Sequence, residues 1–145
     1  MRAHTKNLRK CRCPTSNQIY HITTATKDRR PVFTSFQNTR TLINTLKHMQ
    51  ARGDAETLCF VVMPDHLHWL LQLRSEKQLS AVVASVKRYS SRHCDGLQWQ
   101  AGFHDHALRK EEDLKNISRY IIANPIRAGL VHSVKDYPHW DAIWL

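Results

Sequence analysis

Phe60-Val61-Val62-Met63-Pro64-Asp65-His66-Leu67-His68-Trp69-Leu70-Leu71-Gln72-Leu73 reads as two short apolar strands joined by a tight turn. Pro64 lacks a backbone donor and Asp65 tolerates turn geometry, so strand pairing breaks at Met63-Pro64-Asp65. Past the turn the side chains alternate: His66, His68, Leu70 and Gln72 take one face, and Leu67, Trp69, Leu71 and Leu73 the other. Two imidazoles two residues apart on a strand stand roughly 6.6 Å apart along it, near enough to bend onto one metal ion. Trp69, opposite the histidines, is expected in the core rather than as a base-stacking platform.

Working outward, the two strands span about Thr57 to Met63 and His66 to Leu73. Ahead of them, Ile19 to Thr26 is rich in β-branched and aromatic residues and is the first strand. Between about Asn38 and Arg52, Leu42, Ile43, Leu46 and Met49 recur at helical spacing until Gly53 stops them. A second helix follows from about Lys77 to Arg92, with Leu79, Val82, Val83 and Val86 as its apolar stripe. Tyr89 lies beside Val82 at the edge of that stripe and is expected in the core. Phe103 to Leu108 is a short fourth strand. A third helix starts near Glu111, where Glu111, Glu112 and Asp113 suit its positive end, and runs to about Asn124, before Pro125. The order β-α-β-β-α-β-α predicts an α+β fold: a ferredoxin-like (RRM-like) antiparallel sheet with helices on one side. One domain over residues 19–145 follows a basic arm over residues 1–18, and the tail from Ile126 to Leu145 is expected to wrap over it.

The chain has 145 residues, with 22 Lys+Arg against 12 Asp+Glu, a formal net charge of +10. So large an excess on one small domain points to a polyanionic partner, above all nucleic acid. No apolar run approaches the ~18 residues of a membrane span and no signal-peptide core opens the chain, so a cytoplasmic protein without a membrane partner is expected. Cys11, Cys13, Cys59 and Cys94 lack zinc-ribbon spacing, and Cys59, in an apolar strand, reads as a buried free thiol.

An HxH pair alone is a weak signal, since ten histidines in 145 residues make chance pairs common. This chain has two, His66-x-His68 and His104-x-His106. The third helix adds to the first pair. Leu114, Ile117, Ser118, Ile121 and Ile122 form one stripe, and at about 100° per residue Tyr120 points roughly 130° away from its centre. Asn124, one turn on, shares the side of Tyr120.

These stretches resemble a known family. Val61-Val62-Met63-Pro64-Asp65-His66-Leu67-His68-Trp69-Leu70-Leu71 is similar to the HUH motif strand of single-tyrosine transposases. Arg119-Tyr120-Ile121-Ile122-Ala123-Asn124-Pro125-Ile126-Arg127-Ala128-Gly129-Leu130-Val131 is similar to their tyrosine helix. Asp28-Arg29-Arg30-Pro31-Val32-Phe33 and Trp99-Gln100-Ala101-Gly102-Phe103-His104-Asp105-His106-Ala107-Leu108-Arg109 match the branch known as REP-associated tyrosine transposases. The resemblance implies that His66 and His68 bind a divalent metal, Mg²⁺ or Mn²⁺, with Asn124 as a polar third ligand and Tyr120 as nucleophile. Ligand chemistry alone would also allow Zn²⁺ or Ni²⁺. Asp65 stands where relatives carry Asn or Glu. The implied substrate is single-stranded hairpin DNA of the REP type. Cleavage would leave a 5′-phosphotyrosine and a free 3′-OH, with a monomer working in cis.

The basic surface would supply salt-sensitive affinity for such DNA. Arg9, Lys10 and Arg12 on the arm and Lys87, Arg88 and Arg92 on the second helix are the expected phosphate contacts, with His104 and His106 as further candidate DNA contacts. A non-catalytic RRM-like binding module is the rival reading. Such a module displays aromatic residues on its central strands, where this chain has His66 and His68.

Overall fold

A computed structural model describes residues 17–108 and 112–143, so Arg9, Lys10 and Arg12 lie outside the described residues. Five strands form one antiparallel sheet: β1 (Ile19–Ala25), β2 (Ala55–Met63), β3 (His66–Leu73), β4 (His104–Leu108) and β5 (Trp140–Ala142). Their spatial order is β4-β1-β3-β2-β5, with β3 central. The helices are α1 (Phe36–Ala51), α2 (Leu79–His93), α3 (Glu112–Ile122) and the short α4 (Asn124–Arg127). This is the expected ferredoxin-like arrangement with one strand added, since part of the tail does not merely wrap but pairs with β2 as β5.

Local chemistry explains the element ends. Ser35 caps α1 by accepting a hydrogen bond from the Asn38 amide, which satisfies one of the orphan donors of the first turn. Gly53, at φ +81°, follows α1 in the left-handed conformation that only glycine adopts cheaply. Pro125 sits in the first turn of α4, where a missing N–H costs nothing. The tyrosine-bearing helix therefore ends at Ile122 and a new turn begins at Asn124.

The alternation read in β3 sorts the interior into two cores. Leu67, Trp69, Leu71 and Leu73 join Leu42, Leu46, Val82 and Val86, residues of α1 and α2. Trp69 is fully buried, and its indole donates to Thr57 Oγ1 at 2.9 Å. On the other face Leu70 joins Cys59, Val61, Met63, Leu114, Ile121 and Ile122. The expectation that all helices share one side is thus corrected: α3 covers the face opposite α1 and α2. The reason is visible in β2, where Leu58 to Met63 are all buried, as in a strand covered on both faces.

Tyr89 also departs from expectation. It is 39% exposed and sits between two histidines, with ring centroids 5.3 Å from His48 and 4.5 Å from His93. The outward edge of the α2 stripe faces α1 and solvent there rather than the sheet.

Candidate active site

Strand register carries the site across three strands. Thr23 lies between His68 on β3 and His104 on β4, and His21 lies between Leu70 and His106. Directly paired residues share a face, so His66, His68, His21, Thr23, His104 and His106 stand on the sheet face that α3 partly covers. Both HxH pairs are therefore brought to one surface. His104 and His106 are exposed at the β4 edge.

The two imidazoles of β3 have ring centroids 4.9 Å apart, close to perpendicular. His66 Nδ1 lies 2.7 Å from Asp65 Oδ1, and Arg29 Nη1 lies 3.3 Å from Asp65 Oδ2. Arg29 Nη1 is also 3.3 Å from His66 Nδ1, but a protonated Nδ1 and a guanidinium are both donors. The carboxylate therefore binds them side by side, one oxygen each. His68 Nδ1 has Thr23 Oγ1 at 3.2 Å and His21 Nε2 at 3.1 Å. The Asp65 carboxylate only accepts, so His66 Nδ1 carries a proton and neutral His66 has its lone pair on Nε2; neutral His68 has the same arrangement when its Nδ1 donates to Thr23 Oγ1 or His21 Nε2. A partner on the far nitrogen is how metal-binding histidines are commonly oriented.

Burial holds His68 neutral: it pushes the imidazole down to about 3, helped by His66, His21, Arg127 and Arg29. His21 is lowered as well, by burial and then by His106. A neutral imidazole is the form that ligates metal.

The backbone that presents Arg29 is unusual. Asp28 and Arg29, neither of them glycine, have φ of 58° and 54°. Left-handed non-glycine residues are uncommon and cluster where surrounding structure imposes them. Here Thr26 anchors the turn, its hydroxyl donating to Arg30 O at 2.7 Å. Beside it a cleft of about 290 Å³ opens, lined by Thr23, Arg29, His66, Gln100, Phe103 and His104.

Tyr120 is 59% exposed, as its offset from the apolar stripe predicts, while Ile121 next to it is fully buried. Its ring carries the Arg127 guanidinium 3.8 Å from its centroid, and Arg127 Nη2 donates to the Tyr120 carbonyl at 2.8 Å. Asn124 is partly buried. Its Nδ2 donates to Ile121 O at 2.8 Å, which leaves Oδ1 free to accept or to ligate. Among the described residues no hydrogen bond joins the Tyr120 hydroxyl to either imidazole, and no three His, Cys, Asp or Glu side chains converge as a ready-made metal cage. A metal here would rest on two imidazoles plus an amide oxygen, donor types that suit a divalent ion.

Of the proposed phosphate contacts on α2, Arg88 and Arg92 are exposed. Lys87 donates to Gln100 O and Gly102 O at 3.0 and 2.6 Å, bracing the loop that leads into β4. Arg29, Arg127, His21 and Thr23 were not singled out by motif reading. His21 had a signal, since it alternates with Tyr20 and Ile22 in the first strand. Arg29 and Arg127 had only their place inside matching motifs.

The chain matches the family model described as "Transposase IS200 like" over residues 14–124. It is 33% identical over 86 residues to the REP-associated tyrosine transposase of Escherichia coli. It is 29% identical over 100 residues to a Haemophilus influenzae protein provisionally given the same name. These alignments cover 57% and 58% of this chain. The chain spans about half the length of these curated relatives, 52% and 57%. A solved structure of a REP-associated tyrosine transposase bound to a REP hairpin superposes with a TM-score of 0.75 at 23% identity, over 89% of this chain and 79% of that one. That likeness concerns the fold.

Proposed function

We propose, from the premise that the chain belongs to the family of IS200-like transposases, that it nicks and rejoins single-stranded DNA bearing a REP-type hairpin. The observation that carries this reading is the pair His66 and His68. Each has Nδ1 engaged and Nε2 free, on the sheet face that α3, the tyrosine helix, also occupies.

In this reading His66, His68 and Asn124 would hold a divalent ion, Mg²⁺ or Mn²⁺. When bound, such an ion would supply Lewis-acid stabilisation of charge on the scissile phosphate. Asp65 fixes the His66 ring and Thr23 or His21 fixes the His68 ring, so the ligand atoms are oriented before substrate arrives. Tyr120 is the nucleophile. Its phenolic oxygen loses a proton to solvent and bonds to phosphorus, the bond from phosphorus to the 3′-oxygen breaks, and that oxygen takes up a proton. The products are a 5′-phosphotyrosine and a free 3′-OH. The phosphodiester energy stays in the covalent link, so another 3′-OH can attack it and rejoin strands. The apolar stripe of α3 packs on the sheet of its own chain, which supports a monomer whose Tyr120 works with its own histidines.

The test is a denaturing gel of labelled hairpin DNA incubated with Mg²⁺ or Mn²⁺. The wild type runs beside Tyr120→Phe, His68→Ala and Tyr89→Phe. A covalent protein–DNA band that needs metal, persists in Tyr89→Phe and vanishes in the other two variants supports the reading. Hairpin binding with no adduct under any condition overturns it in favour of a non-catalytic binding protein.

A further inference from the structure

We propose that Arg127 is a catalytic residue of this reaction: it holds the Tyr120 ring by stacking on it and donates hydrogen bonds to the phosphate that Tyr120 attacks. The proposal rests on the reading of Tyr120 as nucleophile given above.

The geometry supplies both halves. A guanidinium has a flat face and an edge of five N–H donors. In Arg127 the guanidinium carbon lies over the tyrosine ring, 3.8 Å from its centroid. One edge donor reaches the Tyr120 carbonyl at 2.8 Å, in the last turn of α3, where backbone carbonyls lack a partner from a following turn. The rest of the edge belongs to a side chain of an exposed residue, so an incoming anion can use it. A planar, permanently charged fork suits the paired oxygens of a phosphate.

Near-continuous helical geometry makes this contact possible. Ile122 ends α3 and Asn124 begins α4, but Ala123 between them keeps helical backbone angles, so Arg127, about two turns on, falls on the side of Tyr120. Two contacts to one tyrosine limit both the swing of the helix end and the tilt of the ring. Position matters in this chemistry because little besides alignment and charge stabilisation is available to the protein. As the phenolic oxygen bonds to phosphorus, negative charge builds on the non-bridging oxygens, and a cation fixed beside the nucleophile meets it there. The Arg127 charge also reaches His68, which places it within electrostatic range of the metal-binding pair as well as the tyrosine.

A structural cap would behave differently from a catalytic donor. Arg127→Gln keeps a hydrogen-bond donor for the carbonyl and loses the charge; Arg127→Lys keeps the charge and loses the flat fork. Single-turnover formation of the covalent adduct should slow about 100-fold or more in Arg127→Gln and less in Arg127→Lys. Thermal midpoint, and affinity for a hairpin that lacks the cleavage-site strand, should stay near wild type in both. Added methylguanidinium should partly restore the rate of Arg127→Ala. An Arg127→Gln rate close to wild type, or a loss matched by an equal loss of hairpin affinity or of folding, overturns the proposal while leaving Tyr120 as nucleophile intact. A wild type that forms no adduct overturns both. The stack has its own readout: the Arg127 side-chain protons should show upfield ring-current shifts in NMR that disappear in Tyr120→Leu, and their absence from wild type refutes the contact.

Discussion

His68 shows how one side chain is prepared by its neighbours. Its position on β3 sets it beside Thr23 and His21, and burial keeps it neutral, with a pKa pushed down to about 3. His21 and His139 are lowered by burial too. The linkage has a definite sign. Below about 6.5 the unfolded chain takes up protons that these three folded sites refuse, so stability is full above that pH and falls as pH drops toward 3. Calorimetry in EDTA should therefore show the melting midpoint falling from pH 7 to pH 5, less steeply in His68→Gln. An unchanged slope in that variant would mean that His68 is protonated in the fold. None of these partnerships was legible in the sequence except the pairing of Asp65 with His66, which are adjacent. Arg29 reaches the site through two left-handed residues, and no glycine or asparagine announces that turn.

Helix α3 marks the boundary between what pattern reveals and what it hides. Its stripe fixed which residues face the sheet: Leu114, Ser118, Ile121 and Ile122 are buried and Tyr120 is not. The stripe says nothing of which face of the sheet receives it, because both faces present apolar side chains along β2. The unbroken apolar run Phe60-Val61-Val62-Met63 was the available clue. The placement has a mechanical consequence. Ile121→Ala should cost about 2–5 kcal/mol in urea unfolding, as a buried aliphatic truncation does. Tyr120→Phe, one residue away and exposed, should stay within about 0.5 kcal/mol. Similar costs for the two would place the helix in another rotation. Tyr89 is the converse case, since an edge position was read inward and the packing of α1 against α2 turned it outward beside His48 and His93.

Over the whole molecule, the net charge of +10 and the site act on different parts of the same substrate. Charge draws the DNA backbone without reading sequence, and affinity that rests on it must fall with salt. Arg88→Ala or Arg92→Ala should each weaken hairpin binding and reduce the salt slope by roughly 0.7 to 0.9 per lost phosphate contact. Lys87→Ala should leave the slope nearly unchanged and instead raise hydrogen exchange across residues 100–103, whose carbonyls at Gln100 and Gly102 it holds. The fold class, the succession of the first four strands along the chain and the two histidine pairs were legible because alternation and helical spacing are local. β5 and the arginine contacts were not, because they depend on segments far apart in the chain meeting in space.

The central claim is that Tyr120 itself becomes joined to DNA, and mass spectrometry of the adduct tests it most directly. After reaction with a hairpin oligonucleotide and Mg²⁺ or Mn²⁺, nuclease trimming and tryptic digestion should leave nucleotide on the peptide spanning residues 120–127. That peptide contains a single tyrosine. The account predicts a 5′-linked nucleotide on that peptide and on no other. A nucleotide carried by a peptide with Tyr20, Tyr89 or Tyr137, or an unmodified digest from a reaction in which the DNA has been cut, would contradict it.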